Sequence, residues 1–340
     1  MIDPRFYELT GPLTAQVLVG GLAACALSGD TEAEVEVPSD PDRAHPRALV
    51  YLESARLKKG VVEVPAGLCL VPRGMAARVQ GALAVAEVAE PRTVFARLAP
   101  RLVAERRLHT AVEGAVHATA RLEADVRVGP GAVVGPGAFI GAGTDIGPNA
   151  VIGPGVAMGR GCRIGAGASV ACALLGDNVM VAPNAVIGRP GFGVAFEAGR
   201  PVPVPHFGRV ILQDHVGIGA ATCVDRGLFG DTVIGEATQI DNLSQIAHNV
   251  EIGRNVVMAA FAGVSGSSSV GDGVLFGGRV AILDHGTVEP GARLAGGALV
   301  MHSIPAGETW GGYPAAPVKR WLREVAWLRR EVHGRGDKRE

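Results

Sequence analysis

The sequence predicts a mainly β protein organised around a solenoid of parallel strands, and three observations carry that expectation. One aliphatic residue recurs every six positions: Val128, Val134, Ile140, Ile146, Ile152, Met158, Ile164 and Val170, then Leu212, Ile218 and Val224. The series resumes at Ile234 and runs through Ile240, Ile246, Ile252, Met258, Val264, Val270, Phe276, Ile282, Val288 and Leu294 to Val300. Glycine commonly follows the aliphatic (Gly129, Gly135, Gly141, Gly147, Gly153), and a small residue sits two before it (Ala132, Ala138, Thr144, Ala150). Aromatic residues make up only 4% of the chain, which suits a prism too narrow for wide rings. A period of six fits neither a helix nor a flat alternating strand. It is the period of a parallel β-helix with hexapeptide repeats.

Each six-residue unit is then a short strand plus a corner, and three units close one triangular coil. The aliphatic points to the axis and stacks on its counterparts roughly 4.8 Å above and below. Corners need tight, positive-φ backbone, expected at the glycine after the aliphatic and at Asn149, Asp177 and Asn255.

Three segments follow in order. Residues 1–105 lack the six-residue period and alternate short apolar runs (Ala48–Leu52, Val61–Val64, Leu68–Val71, Leu83–Val88) with helix-like pieces at Met75–Gln80 and Thr93–Leu102, the latter opened by Pro91. That is a small α/β domain. Residues 106–305 form the solenoid, with Val116 and Leu122 already in phase near its start. It is interrupted by a loop at 189–209, RPGFGVAFEAGRPVPVPHFGR, by a bulge at DRGLFG where Val224 to Ile234 spans ten positions, and by a slip to five near Ala173–Leu175. A long loop ejected from a regular prism points to function. Residues 306–340 are a helix from Pro317 to about Val332 and a basic tail. Val318, Trp321, Leu322, Val325, Leu328 and Val332 form its apolar stripe. Trp327 lies on the opposite face among Arg320, Arg323 and Arg330, a surface for a partner or for a neighbouring subunit's helix.

Composition narrows the function classes. Net charge is −1 over 340 residues, so the molecule as a whole is not built for nucleic acid. No window offers the roughly 20 uninterrupted apolar residues of a spanning helix. The start, MIDPRFYELTG, has no basic region followed by an apolar one, hence no visible signal peptide. Five scattered cysteines without a CxxC read as small core fillers of a reduced, cytoplasmic protein.

Coils of a solenoid are interchangeable, so residues that break the repeat are the candidates for chemistry. In QIDNLSQIAHNVEIG (239–253), Ile240, Ile246 and Ile252 face inward, which turns His248 toward a corner. Asp241 and Asn242 replace the usual glycine on the preceding side. Histidine is the side chain best suited to take a proton near neutral pH. His285 follows about two coils on, so both can border one cleft. His206 and His215 flank the loop and His302 lies near the solenoid's end. Several histidines raise a zinc site as an alternative, but none lies near His248 at a close ligand spacing, and no metal is expected.

QIDNLSQIAHNVEIG, together with GRPGFG at 188–193, CVDRG at 223–227 and the GGYPAAPVKRW ending, resembles the UDP-3-O-acylglucosamine N-acyltransferases of lipid A biosynthesis over nearly the whole chain. The resemblance implies a left-handed β-helix and a homotrimer with active sites between neighbouring solenoids. It implies transfer of a 3-hydroxyacyl group from acyl carrier protein to the 2-amino group of a UDP-linked, 3-O-acylated glucosamine. By the same resemblance His248 is the general base, the Gly266 amide in VSGSS receives the oxyanion, and His285 supports. Asp241, Asn242, Tyr51 and Phe192 would contact substrate, Tyr51 as the first of two aromatics around uracil, with Leu57 at the second position. Arg320, Arg323, Trp327 and Arg330 would meet the carrier protein, whose phosphopantetheine brings the acyl group, so no further cofactor is implied. A sugar O-acyltransferase or a non-catalytic scaffold of the same repeat are the competing readings.

Overall fold

The computed structural model describes residues 2–22, 25–108, 115–311, 323–324 and 326–332. The solenoid presents three parallel sheets, two of nine strands and one of ten. Each coil is three repeats long: Arg121 pairs with Phe139, and Phe139 with Ala157. The inward aliphatics form an unbroken ladder, Ile140, Ile146 and Ile152 being fully buried. Each buried side chain of this size contributes about 1.5–3 kcal/mol.

The ladder survives every interruption because inserted chain leaves and re-enters at the same corner. After the slip Ala157 pairs with Leu174; across the loop Leu174 pairs with Ile211; across the bulge Ile211 pairs with Val233. The solenoid also runs past 305, since Val288 bridges Ile304 and Arg293–Leu294 pairs with Thr309–Trp310. That last coil is two residues short, which is why the six-residue series seems to stop at Val300.

Corner geometry differs from expectation in one respect. The positive-φ residue is the third after the aliphatic, as at Gly131, Gly137, Asn149 and Asn255, and neither Asp177 nor the glycines at 129, 135, 141, 147 and 153 are among them. The latter glycine is needed for space: a Cβ on Gly129 would lie 2.8 Å from Pro148 N, and one on Gly141 2.4 Å from Gly159 C.

The first 105 residues hold a five-stranded sheet. Val37–Pro38, Ala48–Tyr51, Leu68–Pro72 and Ala84–Val88 run parallel in that spatial order, and Ala26–Gly29 closes the edge antiparallel to Ala84–Val88. Pro91–Leu98 is helical, with Pro91 in the first turn where its missing N–H costs nothing. Helix was expected at Met75–Gln80 but only a 3₁₀ turn, Ala76–Arg78, forms before the strand Val79–Gln80, a segment with no buried face to hold a longer helix.

The loop at 189–209 is an ordered hairpin, Val194–Glu197 against Arg200–Pro203. It packs on the Pro91–Leu98 helix through Ala195, Val204 and Ala96. Thr93 Oγ1 donates to the Phe196 carbonyl at 2.9 Å, and Arg97 pairs with Glu197. Arg226, in the bulge, is the buried tie between the two halves. Its guanidinium meets Glu105 at 2.8 Å, the His206 and Gly188 carbonyls at 3.1 Å, and Cys172 Sγ at 3.2 Å. One continuous apolar core therefore runs from Phe6 through Phe95 to Ile304.

The C-terminal segment is helical at 323–324 and 326–332 with Trp327 exposed; Arg320 and most of the GGYPAAPVKRW motif lie outside the described residues. Among the described residues no helix is long and apolar enough to cross a membrane.

Candidate active site

One corner of the prism concentrates the polar chemistry. Val224, Ile246, Val264, Ile282 and Val300 stack in register on one sheet. The residue two past each of them sits on the same corner, one per coil: Arg226, His248, Gly266, Asp284 and His302. A cavity of about 1130 Å³ opens over this column and is walled on the far side by the N-terminal domain.

His248 is half-buried and lines the cavity. Its Nδ1 lies 3.2 Å from Asn249 Oδ1, and that oxygen also accepts from the Leu228 N–H at 2.8 Å. The Leu228 donor fixes which end of the amide is oxygen. An amide oxygen only accepts, so in the neutral ring Nδ1 carries the proton and the lone pair falls on Nε2. Nε2 faces Gly266, where a Cβ would sit 2.7 Å from it.

The Gly266 N–H belongs to the same corner, one coil on. At the matching place on another corner, the N–H groups of Arg160 and Arg254 are capped at 2.7 Å by Asp177 and Asp272 of the next coil. Among the described residues the Gly266 N–H has no such partner. A basic nitrogen and an uncapped amide donor stand side by side, one coil apart, which is the equipment of acyl transfer.

His206 packs edge-on against His248, ring centroids 5.1 Å apart. Burial, followed by the neighbouring His248, Arg226 and Arg92, pushes its pKa down to about 4, while its Nδ1–H···Val204 carbonyl bond at 2.9 Å resists. It is therefore neutral near pH 7. Asp225, held by the Gln245 amide at 2.8 Å, is raised by burial to about 6.

The opposite wall lies past the carboxyl ends of the parallel strands, the usual ligand edge of such a sheet. Asp40 and Pro41 follow the first strand, Tyr51 and Glu53 the second, and Arg92 opens the helix. Arg56, Lys59 and Arg92 bring three cations into the cavity. Arg92 Nε is buried with no hydrogen-bond partner. Tyr51 leans on Phe95, centroids 5.0 Å apart. Phe192, from the ejected loop, is 87% exposed and borders the cavity.

Comparison with known proteins shows the family of this chain. A family model described as bacterial transferase hexapeptide (six repeats) matches residues 116–154 and 231–266. A UDP-3-O-acylglucosamine N-acyltransferase of Caulobacter sp. (strain K31) is 49% identical over 339 residues, 99% of each chain. Its namesake from Methylobacterium sp. (strain 4-46) is 45% identical over 340 residues, covering 97% of this chain and 96% of the other. The chain belongs to the UDP-3-O-acylglucosamine N-acyltransferase family. A solved UDP-N-acetylglucosamine acyltransferase from Campylobacter jejuni is 22% identical, covering 56% of this chain and 69% of that one, with a TM-score of 0.39.

In this acyltransferase His248, Gly266, His285, Tyr51 and Phe192 border one cavity. Asp241 and Asn242 do not; they are exposed on a different corner, where Asn242 Oδ1 accepts from the Ala220 N–H at 2.6 Å. Arg323, Trp327 and Arg330 are exposed on the C-terminal helix. Leu57, at the expected second aromatic position, is buried in the domain's own core. No group of three or more His, Cys, Asp or Glu suited to a metal occurs among the described residues. Sequence reasoning placed His206 only at the edge of the loop, and missed Asn249, Asp284 and the three cations. Asp284 was within reach, being two past an inward aliphatic in phase with His248; the others depend on chain returns that a repeat does not encode.

Proposed function

We propose that this acyltransferase moves a 3-hydroxyacyl group from acyl carrier protein to the 2-amino group of a UDP-linked, 3-O-acylated glucosamine. The observation that carries this reading is the pairing of His248, its Nδ1 held on the Asn249 amide oxygen, with the uncapped Gly266 N–H beneath a cavity of about 1130 Å³. The amine nitrogen attacks the thioester carbonyl and gives a proton to Nε2. The oxyanion of the tetrahedral adduct accepts from the Gly266 N–H. The adduct then collapses, the C–S bond breaks, and the thiolate takes the proton back from the imidazolium. The Asn249 carbonyl oxygen keeps the ring in the tautomer this requires, and the exposed imidazole of His285 supports the same site.

Arg56, Lys59 and the unpartnered Arg92 suit the diphosphate, with Tyr51 offering one face to uracil. Leu57 being core, the second face of uracil must come from elsewhere. Phe192 contacts the sugar or acyl chain. A substrate role for Asp241 and Asn242 requires a site shared with another chain, which fits a homotrimer with active sites between solenoids. Arg320, Arg323, Trp327 and Arg330 would receive the acidic carrier protein. The acyl group arrives on phosphopantetheine, so the chemistry needs no other cofactor, and the enzyme works in the cytoplasm.

The test is mass spectrometry of products made from 3-hydroxyacyl carrier thioesters and the amino sugar nucleotide. An amide is expected, with His248→Ala slower by at least about 100-fold. An ester product, or turnover indifferent to His248, would sink this reading.

A further inference from the structure

Asp284 sits one coil past Gly266, in the register from which Asp177 and Asp272 cap the N–H groups of their preceding coils. It does not make that bond. Its Oδ1 lies 3.2 Å from the point where a Cβ of Gly266 would be, a point also 2.7 Å from His248 Nε2. Its Oδ2 lies 3.6 Å from His285 Nε2. Both carboxylate oxygens thus keep acceptor capacity, and the carboxylate borders the cavity. His248 Nε2 and Asp284 Oδ1 thus face Gly266 from its two neighbouring coils, within about 6 Å of one another, and both residues line the cavity, so one substrate nitrogen between them meets both.

We propose that Asp284 is a substrate-contacting residue that receives the acceptor's amino nitrogen as a cation beside His248. This rests on the acyl-transfer reading above and deepens it. An alkyl amine enters largely as ammonium and must first release one proton to solvent. As its lone pair forms the C–N bond the nitrogen becomes positive again, until His248 Nε2 removes a second proton and passes it to the departing thiolate. A carboxylate within hydrogen-bond reach stabilises the nitrogen in both cationic states. A hydroxyl at the same position carries no charge before attack and gains little from it. Asp284 therefore selects amine over hydroxyl acceptors, whereas His248 and Gly266 would serve either.

The experiment uses the full-length enzyme and its Asp284→Asn variant, an exposed corner position of ordinary φ. Steady-state rates are taken with the amino sugar nucleotide and with the analogue bearing a 2-hydroxyl. Affinities for both are measured in the His248→Ala background, where turnover cannot interfere. The expected result is a fall of about tenfold or more in kcat/KM for the amine, the range for a hydrogen bond to a charged group. The KM for the carrier thioester and the affinity for the 2-hydroxyl analogue should stay within twofold. Unchanged amine kinetics and an unchanged preference in Asp284→Asn would overturn the proposal while leaving the acyl-transfer reading intact. A faster variant would also overturn it, showing Asp284 to be a cap that competes for the Gly266 N–H. A wild-type enzyme that forms no amide would fell the acyl-transfer reading itself, and this proposal with it.

Discussion

Gly266 has no side chain because a methyl there would lie 2.7 Å from His248 Nε2 and 3.2 Å from Asp284 Oδ1. Its φ is not positive, so alanine strains no backbone. Gly266→Ala keeps the N–H but sets a methyl against His248 Nε2, and is therefore expected to lower kcat by about 100-fold or more, as when a general base is displaced, with the thermal midpoint unmoved; normal activity would discard Gly266 as a site residue. His206 gives a prediction of another kind. Its folded pKa of about 4 lies below the ordinary 6.5, so between those values the unfolded chain binds a proton that the folded chain refuses. Stability should thus fall as pH drops, by about 2 kcal/mol between pH 7.5 and 5 from this group alone. Denaturant unfolding of wild type and His206→Gln at those two pH values reads the difference, and parallel pH slopes would refute the assignment. His248 stood out in the sequence because a polar IAHN turn broke a monotonous pattern. The tautomer that makes it a base did not. It depends on Asn249 being oriented by the Leu228 amide, 21 residues away in a bulge whose destination no period foretells.

The hairpin at 194–203 and the DRGLFG bulge were visible as breaks in the repeat, but where they pack was not. Tyr7 Oη donates to the His206 carbonyl across 199 positions, and Thr93 to Phe196 across 103. Such contacts follow from three-dimensional return of the chain and leave no local spacing to read. Arg226 makes the bulge a fastener: its charge is paired with Glu105, and its other donors hold both roots of the loop. Only 3% of its surface is exposed. Arg226→Met leaves Glu105 without a partner and should cost about 3–5 kcal/mol. Adding Glu105→Leu should return much of that loss, as measured by guanidinium unfolding; equal destabilisation in the single and double variants would contradict the pairing. The solenoid strands themselves were legible almost to the residue, since a ladder of like side chains repeats its own instructions.

In the whole molecule, the N-terminal domain and hairpin brace the middle coils. Terminal coils of a solenoid have one neighbour instead of two. Amide exchange should accordingly be slowest in the strands between Arg163 and Ile252 and at least about tenfold faster at Arg121–Leu122 and Thr309–Trp310. A uniform profile would mean that bracing adds nothing. The stacking of His248, Gly266 and Asp284 on successive coils has a last consequence. The main chains that carry the base and the oxyanion donor are one spacing of hydrogen-bonded strands apart, roughly 4.8 Å, so the main chain sets the ruler. Neighbouring side chains can change in size or polarity without altering it, which leaves substrate preference free to drift while the reacting distance stays constant.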